Sequence, residues 1–210
     1  MLIKIKSIIK KIALKLTSQV KKNESIELIP SYDGKRAIIE SYRLKFGLAV
    51  LVETGTFMGD TIEYFKNKFD LLYSIELSKD LAIRAKKRFE GEKKIQIIEG
   101  DSSNVLADIC KTLNQKTLFW LDGHYSSEFF YEGEYIITAK ADKNTPIEKE
   151  LEIILSHDIF SVILIDDARL FIGENDYPTI TQIENIVFRS GKPYTVTLKT
   201  DIIHIIPSKQ

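Results

Sequence analysis

Leu51-Val52-Glu53-Thr54-Gly55-Thr56-Phe57-Met58-Gly59-Asp60-Thr61 is the stretch that decides the fold. A short apolar run, Ala49 to Val52, ends in a carboxylate and meets two glycines four apart. Beyond them Ile62, Phe65 and Phe69 repeat at helical spacing. Strand, glycine turn and helix start in that order make a nucleotide-type site. Phe57 stands where a dinucleotide fingerprint has its middle glycine, the residue that lets backbone approach a pyrophosphate. The pattern therefore argues against a diphosphate ligand and against a dehydrogenase.

From residue 49 onward strand-like and helix-like segments alternate. Continuous apolar runs at 49–53, 71–76, 95–99, 117–121 and 161–165 read as strands buried on both faces of a parallel sheet. Helical patterns lie near 35–46, 60–69, 79–90, 102–113, 146–156 and 179–189, the fifth opening on Thr145-Pro146-Ile147-Glu148. Tyr194–Lys199 and Ile202–Ile206 are separated only by Thr200-Asp201, a connection so short that the last strand must run antiparallel. The expected architecture is α/β: a seven-stranded, mostly parallel sheet with an antiparallel last strand and helices on both faces.

Ligands of such sheets bind beyond the carboxyl ends of the strands. An acid stands at each parallel strand's end: Glu53, Glu76, Asp101, Asp122, and Asp166 with Asp167. Glu76, 23 residues after Glu53, has the spacing of an acid that accepts from ribose hydroxyls. Asp101 is suited to an exocyclic amine, with Ser102 or Ser103 capping the next helix. These pieces suit an adenosine without a pyrophosphate.

Composition bounds the rest. The chain has 210 residues, 30 basic and 30 acidic, so net charge offers no case for nucleic acid. Residues 1–22 hold seven of the lysines and no acid, leaving 23 basic against 30 acidic groups elsewhere. In that head, residues 2, 5, 9, 12, 16 and 20 form one apolar stripe, with Lys4, Lys11, Lys15 and Lys22 roughly opposite. Lysines interrupt every run before it reaches spanning length. Two readings stay open: a helix packed on the domain or on a sister subunit of a homo-oligomer, or a helix lying on the inner face of an anionic membrane. Residues 23–33 read as a linker and 34–210 as the catalytic domain. Cys110, the sole cysteine, excludes an intramolecular disulfide, points to the cytoplasm, and occupies a helix's core face.

Over residues 34–206 the chain resembles the class I S-adenosylmethionine-dependent methyltransferases, which have a Rossmann-like fold. Glu53-x-Gly55-x-x-x-Gly59 is similar to their first motif, Glu76 to their ribose acid and Asp101 to their adenine acid. The resemblance implies S-adenosyl-L-methionine as cofactor, with Glu53, Thr54, Gly55, Thr56, Phe57, Gly59, Asp60, Thr61, Glu76, Asp101, Ser102 and Asp122 around it. Phe119-Trp120-Leu121-Asp122-Gly123-His124-Tyr125 and Leu164-Ile165-Asp166-Asp167 are similar to the metal-dependent macrocin O-methyltransferase family of sugar-modifying enzymes. That match implies Mg²⁺ or another divalent cation on Asp122, Asp166 and Asp167, and a small-molecule or glycan acceptor. The chain departs from it at His124, which replaces the aspartate serving there as base. Histidine suits that role; it also suits a fourth ligand or a plain loop position. A metal-free methyltransferase and a non-catalytic nucleotide- or glycan-binding module remain as rivals.

The longest connection, 124–144, carries Tyr125, Phe129, Phe130, Tyr131 and Tyr135 among acids and reads either as an acceptor lid or as a loop pinned by its own aromatics. Residues 171–178 form a second such loop. Arg169 reads as a salt-bridge partner of a nearby carboxylate, and Trp120 as core. His157 and His204 attract no role.

Overall fold

A computed structural model describes residues 29–125, 128–131, 133–139 and 143–208. The basic head and most of the expected linker lie outside the described residues.

Helix α1 (Tyr32–Phe46) begins three residues before the expected 35, because Ser31 caps it: the Ser31 hydroxyl accepts from the Gly34 N–H at 3.2 Å. Five parallel strands follow: β1 (Val50–Thr54), β2 (Leu71–Glu76), β3 (Ile95–Glu99), β4 (Thr117–Leu121) and β7 (Ser161–Ile165). The last two, β8 (Tyr194–Lys199) and β9 (Ile202–Pro207), form a hairpin, and β9 inserts antiparallel beside β7. The sheet order is β3-β2-β1-β4-β7-β9-β8. This is the expected seven-stranded sheet with its antiparallel end.

Alternation along the central strands divides the core in two. Val50 and Val52, Phe119 and Leu121, and Ile163 and Ile165 face α4 (Ser102–Thr112), α5 (Ile147–Ser156) and α6 (Ile180–Arg189). Leu51, Leu118, Trp120, Val162 and Leu164 face the opposite way, onto Ile39 of α1, Ile62 and Phe65 of α2 (Asp60–Phe65), and Phe89 after α3 (Lys79–Arg88). Burial on both faces is why these strands read as unbroken apolar runs. Cys110 lies within the first core, and burial pushes its thiol up to about 12.

Two segments differ from expectation. Helix α2 is six residues rather than the ten of 60–69; Lys66 to Lys68 tighten into turns, and Phe69 is buried outside the helix. The long connection contains a hairpin, β5 (Glu128–Tyr131) with β6 (Glu134–Ile137). Aromatic and β-branched runs flank Glu132-Gly133, and Gly133 takes φ +85°, as a tight turn requires. Among the described residues no helix is long and apolar enough to cross a membrane.

Phe119 at the centre of β4 is fully buried, whereas Phe188 on α6 is 84% exposed. Phe119→Ala is expected to lower unfolding free energy by about 3–5 kcal/mol, and Phe188→Ala to change it by less than about 0.5 kcal/mol. Urea titration of both variants checks this; equal losses would contradict the two-faced core.

Candidate active site

The turns that follow β1 and β4 are pressed together. Gly55 adopts φ +87°, and a Cβ there would lie 2.5 Å from the Asp122 carbonyl oxygen, so no side chain fits. Gly123 packs in return on Thr54. Phe57 holds a left-handed backbone, φ 49°, while its N–H donates to Glu76 Oε2 at 2.8 Å. A fixed hydrogen bond thus offsets a conformation uncommon for an aromatic residue. The Phe57 ring meets Tyr131 of the hairpin edge-on at 5.0 Å, and the Tyr131 hydroxyl donates to Asp60 Oδ2 at 3.3 Å.

Between these turns and the hairpin lies a cleft of about 420 Å³, a size that suits a nucleoside-sized ligand. Glu53, Gly55, Thr56, Phe57, Asp60, Thr61, Glu76, Asp101, Ser102, Asp122, His124 and Asp167 all line it. Of the expected contact residues, Thr54 instead packs beneath Gly123, and Gly59 starts α2 against the Phe89 ring. Asp101 itself caps α4, its Oδ1 accepting from the Ser103 N–H at 2.8 Å. The expectation that Ser102 or Ser103 would supply the cap is therefore corrected: the extended backbone at 101 aims the carboxylate back at the helix.

The end of the cleft beside β1 and β2 gathers Glu53, Glu76 and Asp60, of which Asp60 pairs with Arg88 at 2.7 Å. Burial pushes Glu53 up to about 8; Ser74 and Thr61 hydrogen bonds pull against it, and nearby Glu76 and Asp60 add to it. The Ser74 hydroxyl donates to Glu53 and also pairs with Thr56 Oγ1 at 2.7 Å. Burial likewise raises Glu76, although its two oxygens accept from the backbone N–H groups of Phe57 and Ser78. Burial thus favours the neutral form of Glu53, and an approaching cation would favour the charged one.

The other end gathers Asp122, His124, Asp166, Asp167, Lys35 and Arg169. Asp167 adopts φ 54°, a left-handed backbone uncommon for a residue with a side chain, directly after Asp166. Asp166, almost fully buried, accepts from the Asp167 N–H at 2.9 Å and from the Lys35 ammonium. Asp167 Oδ2 lies 3.3 Å from His124 Nε2, and Asp122 Oδ1 lies 3.3 Å from His124 Nδ1. The imidazole thus bridges two carboxylates. Burial raises Asp122 well above the usual carboxylate range, Asp166 adding to this and Lys35 opposing it. Burial lowers His124, against the pull of Asp167 and Asp166. Arg169 donates to Asp167 Oδ1 at 2.8 Å and also binds Asp201. It therefore holds a carboxylate in place, as the salt-bridge reading expects.

Three residues here were not reached by sequence reasoning. Lys35 gave little signal beyond being a base in the first turn of a helix, where the macrodipole disfavours one. Asp201 read only as half of a tight turn, yet it accepts from the Arg169 backbone N–H at 2.8 Å and clamps that side chain. Glu150 did carry a signal: it shares the apolar stripe of Ile147, Leu151, Ile154 and Leu155. It lies under the cleft beside Ser102 and Thr54, where burial pushes it up to about 7. His204 is held by the Tyr42 hydroxyl at 2.9 Å and the Lys199 carbonyl, well away from the cleft. Tyr177 of the second loop packs on His124, ring centroids 6.3 Å apart.

Asp122, His124 and Asp167 each offer a ligand atom within 4.8 Å of one another. The implied trio of Asp122, Asp166 and Asp167 fits a divalent ion less well. Lys35 already binds Asp166 and stands 3.8 Å from Asp167 Oδ1, so an ion bridging that pair would have to displace the ammonium.

No protein-family model and no curated protein matches the sequence. The fold, however, is shared with solved methyltransferases. The chain is similar to an S-adenosylmethionine-dependent methyltransferase from Clostridium acetobutylicum, with a TM-score of 0.55 and 12% identity over 96% of this chain and 100% of that one. It is also similar to an O-methyltransferase from Bacillus cereus bound to SAH, with a TM-score of 0.54 and 13% identity over 92% and 90%. A third is the O-methyltransferase TomG of Streptomyces achromogenes, bound to SAM, with a TM-score of 0.54 and 13% identity over 90% and 86%. At these identities the likeness establishes the Rossmann-like methyltransferase fold.

Proposed function

We propose that the chain is an S-adenosyl-L-methionine-dependent O-methyltransferase acting on a hydroxyl of a sugar or glycan-type acceptor. The observation that carries this reading is the pairing of two functions in one cleft. A buried acid short of a cation, Glu53, lines it together with an imidazole held between carboxylates, His124. S-adenosyl-L-methionine, when bound, supplies a methyl group on a positively charged sulfur. Glu76 and Asp101 have the positions to accept from its ribose and base. Glu53 suits the cationic amino-acid end, since an ammonium would offset the cost of burying its charge.

His124 takes the acceptor's proton as the oxygen attacks. Its low proton affinity in this buried place keeps it neutral and ready to accept, and Asp122 and Asp167 steady the imidazolium that forms. Tyr125 and Tyr131 line the cleft, and such rings suit the apolar face of a sugar. Catalysis on this reading is positioning and electrostatics.

A second reading, favoured by the three clustered ligand atoms, puts a divalent cation on Asp122, His124 and Asp167. Such an ion would lower the pKa of the acceptor hydroxyl and orient it. The mixed nitrogen and oxygen set suits Mn²⁺ better than Mg²⁺. His124 is then a ligand and the base lies elsewhere.

Two outcomes are expected. Binding of S-adenosyl-L-methionine should release a proton at pH 7, and affinity should rise with pH until Glu53 ionises at about 8. The sign follows because the cationic ligand favours the deprotonated carboxylate. Calorimetry in buffers of different ionisation heat checks it, and buffer-independent heats would remove Glu53 from the role. Separately, methyl transfer from labelled cofactor to a panel of saccharides should fall about 10²–10⁴-fold in His124→Gln while cofactor affinity holds. Activity should survive EDTA. Loss in EDTA with recovery in Mn²⁺ would instead select the metal reading.

A further inference from the structure

Lys35 sits where its own helix disfavours it. Residue 35 lies in the first turn of α1, where unpaired N–H groups leave partial positive charge. Its stabilisation comes from elsewhere in the chain. The ammonium donates to Asp166 Oδ2, stands 3.8 Å from Asp167 Oδ1 and is attracted by Asp122. Asp166 is 3% exposed, and a carboxylate buried that deeply is costly without a cation beside it. The left-handed turn at Asp167 keeps the second carboxylate within reach of the same ammonium.

We propose that Lys35 is the cation of this site. It occupies the place on the Asp166–Asp167 pair where a divalent ion would otherwise bind, and it makes that ion dispensable. An ammonium has three N–H donors, one of them used on Asp166. Lys35 also lines the cleft, so a remaining donor holds the acceptor's oxygen beside His124. Its positive charge favours the developing alkoxide there as an ion would. The acceptor half of this statement rests on the O-methyltransferase reading; the cation half does not.

The experiment compares Mn²⁺ binding by full-length wild type, Lys35→Met and Lys35→Arg, using calorimetry and thermal melting. Lys35→Met leaves Asp166 and Asp167 uncompensated, so it should bind Mn²⁺ about tenfold or more tighter than wild type. Its Tm should rise on adding Mn²⁺. Wild type and Lys35→Arg should show neither response at about 1 mM Mn²⁺. Micromolar Mn²⁺ binding by the wild type overturns the proposal, whether or not the methionine variant folds. Equal affinities in all three proteins, or no binding by any, overturn it as well. Calorimetry with SAH on the same wild-type sample separates the two claims. Absence of SAH binding removes the methyltransferase reading and leaves the Mn²⁺ comparison to decide the role of Lys35.

Discussion

Like charges crowded at the ends of parallel strands are the constraint on which this structure depends. A parallel sheet delivers every strand's carboxyl end to one rim, and here each of those ends carries an acid. Water does not screen them, because Glu53, Glu76 and Asp166 are all buried. Each acid must hold a proton, accept from fixed N–H groups or find a cation. The cleft uses all three solutions. Glu53 keeps its proton, Glu76 takes backbone donors from Phe57 and Ser78, and Asp166 binds Lys35.

These solutions give the two ends of the cleft different charge environments. At the β1–β2 end Asp60 pairs with Arg88, whereas Glu53 and Glu76 form no ion pair with a described residue. At the β4–β7 end the chain supplies its own counter-ions, Lys35 and Arg169, around an imidazole. On the proposed reading the first end takes a cationic group and the second moves a proton. The hairpin packs on the first end, where Tyr131 reaches both the Phe57 ring and Asp60.

Much of the fold was readable because burial on both faces leaves continuous apolar runs, and because Thr200-Asp201 is too short for anything except a hairpin. The same logic found the acids, since a strand's end is a position in sequence as well as in space. Lys35 could not be found that way. Its partner lies 131 residues away and is met only when α1 docks, a contact no local pattern encodes. Asp201 escaped for a related reason: its side chain works 32 residues from Arg169 across the sheet's antiparallel edge. The long connection was half legible: its aromatics are plain in the sequence, whereas their pairing across Gly133 depends on a tight turn with no strong local signature. The basic head, outside the described residues, stays as the sequence left it.

The terminal hairpin has a bearing on synthesis. Thr200 and Asp201, both at positive φ, turn the chain so that Asp201 grips Arg169, which in turn steadies Asp167. Asp201 follows Glu53 and Asp122 in the chain and so leaves the ribosome after both. A nascent chain can therefore bring Glu53 and Glu76 together while Asp167 still lacks the brace that Asp201 supplies through Arg169. The brace on Asp167 is complete only once this hairpin has docked beside β7, so the two ends of the cleft are finished at different points in folding.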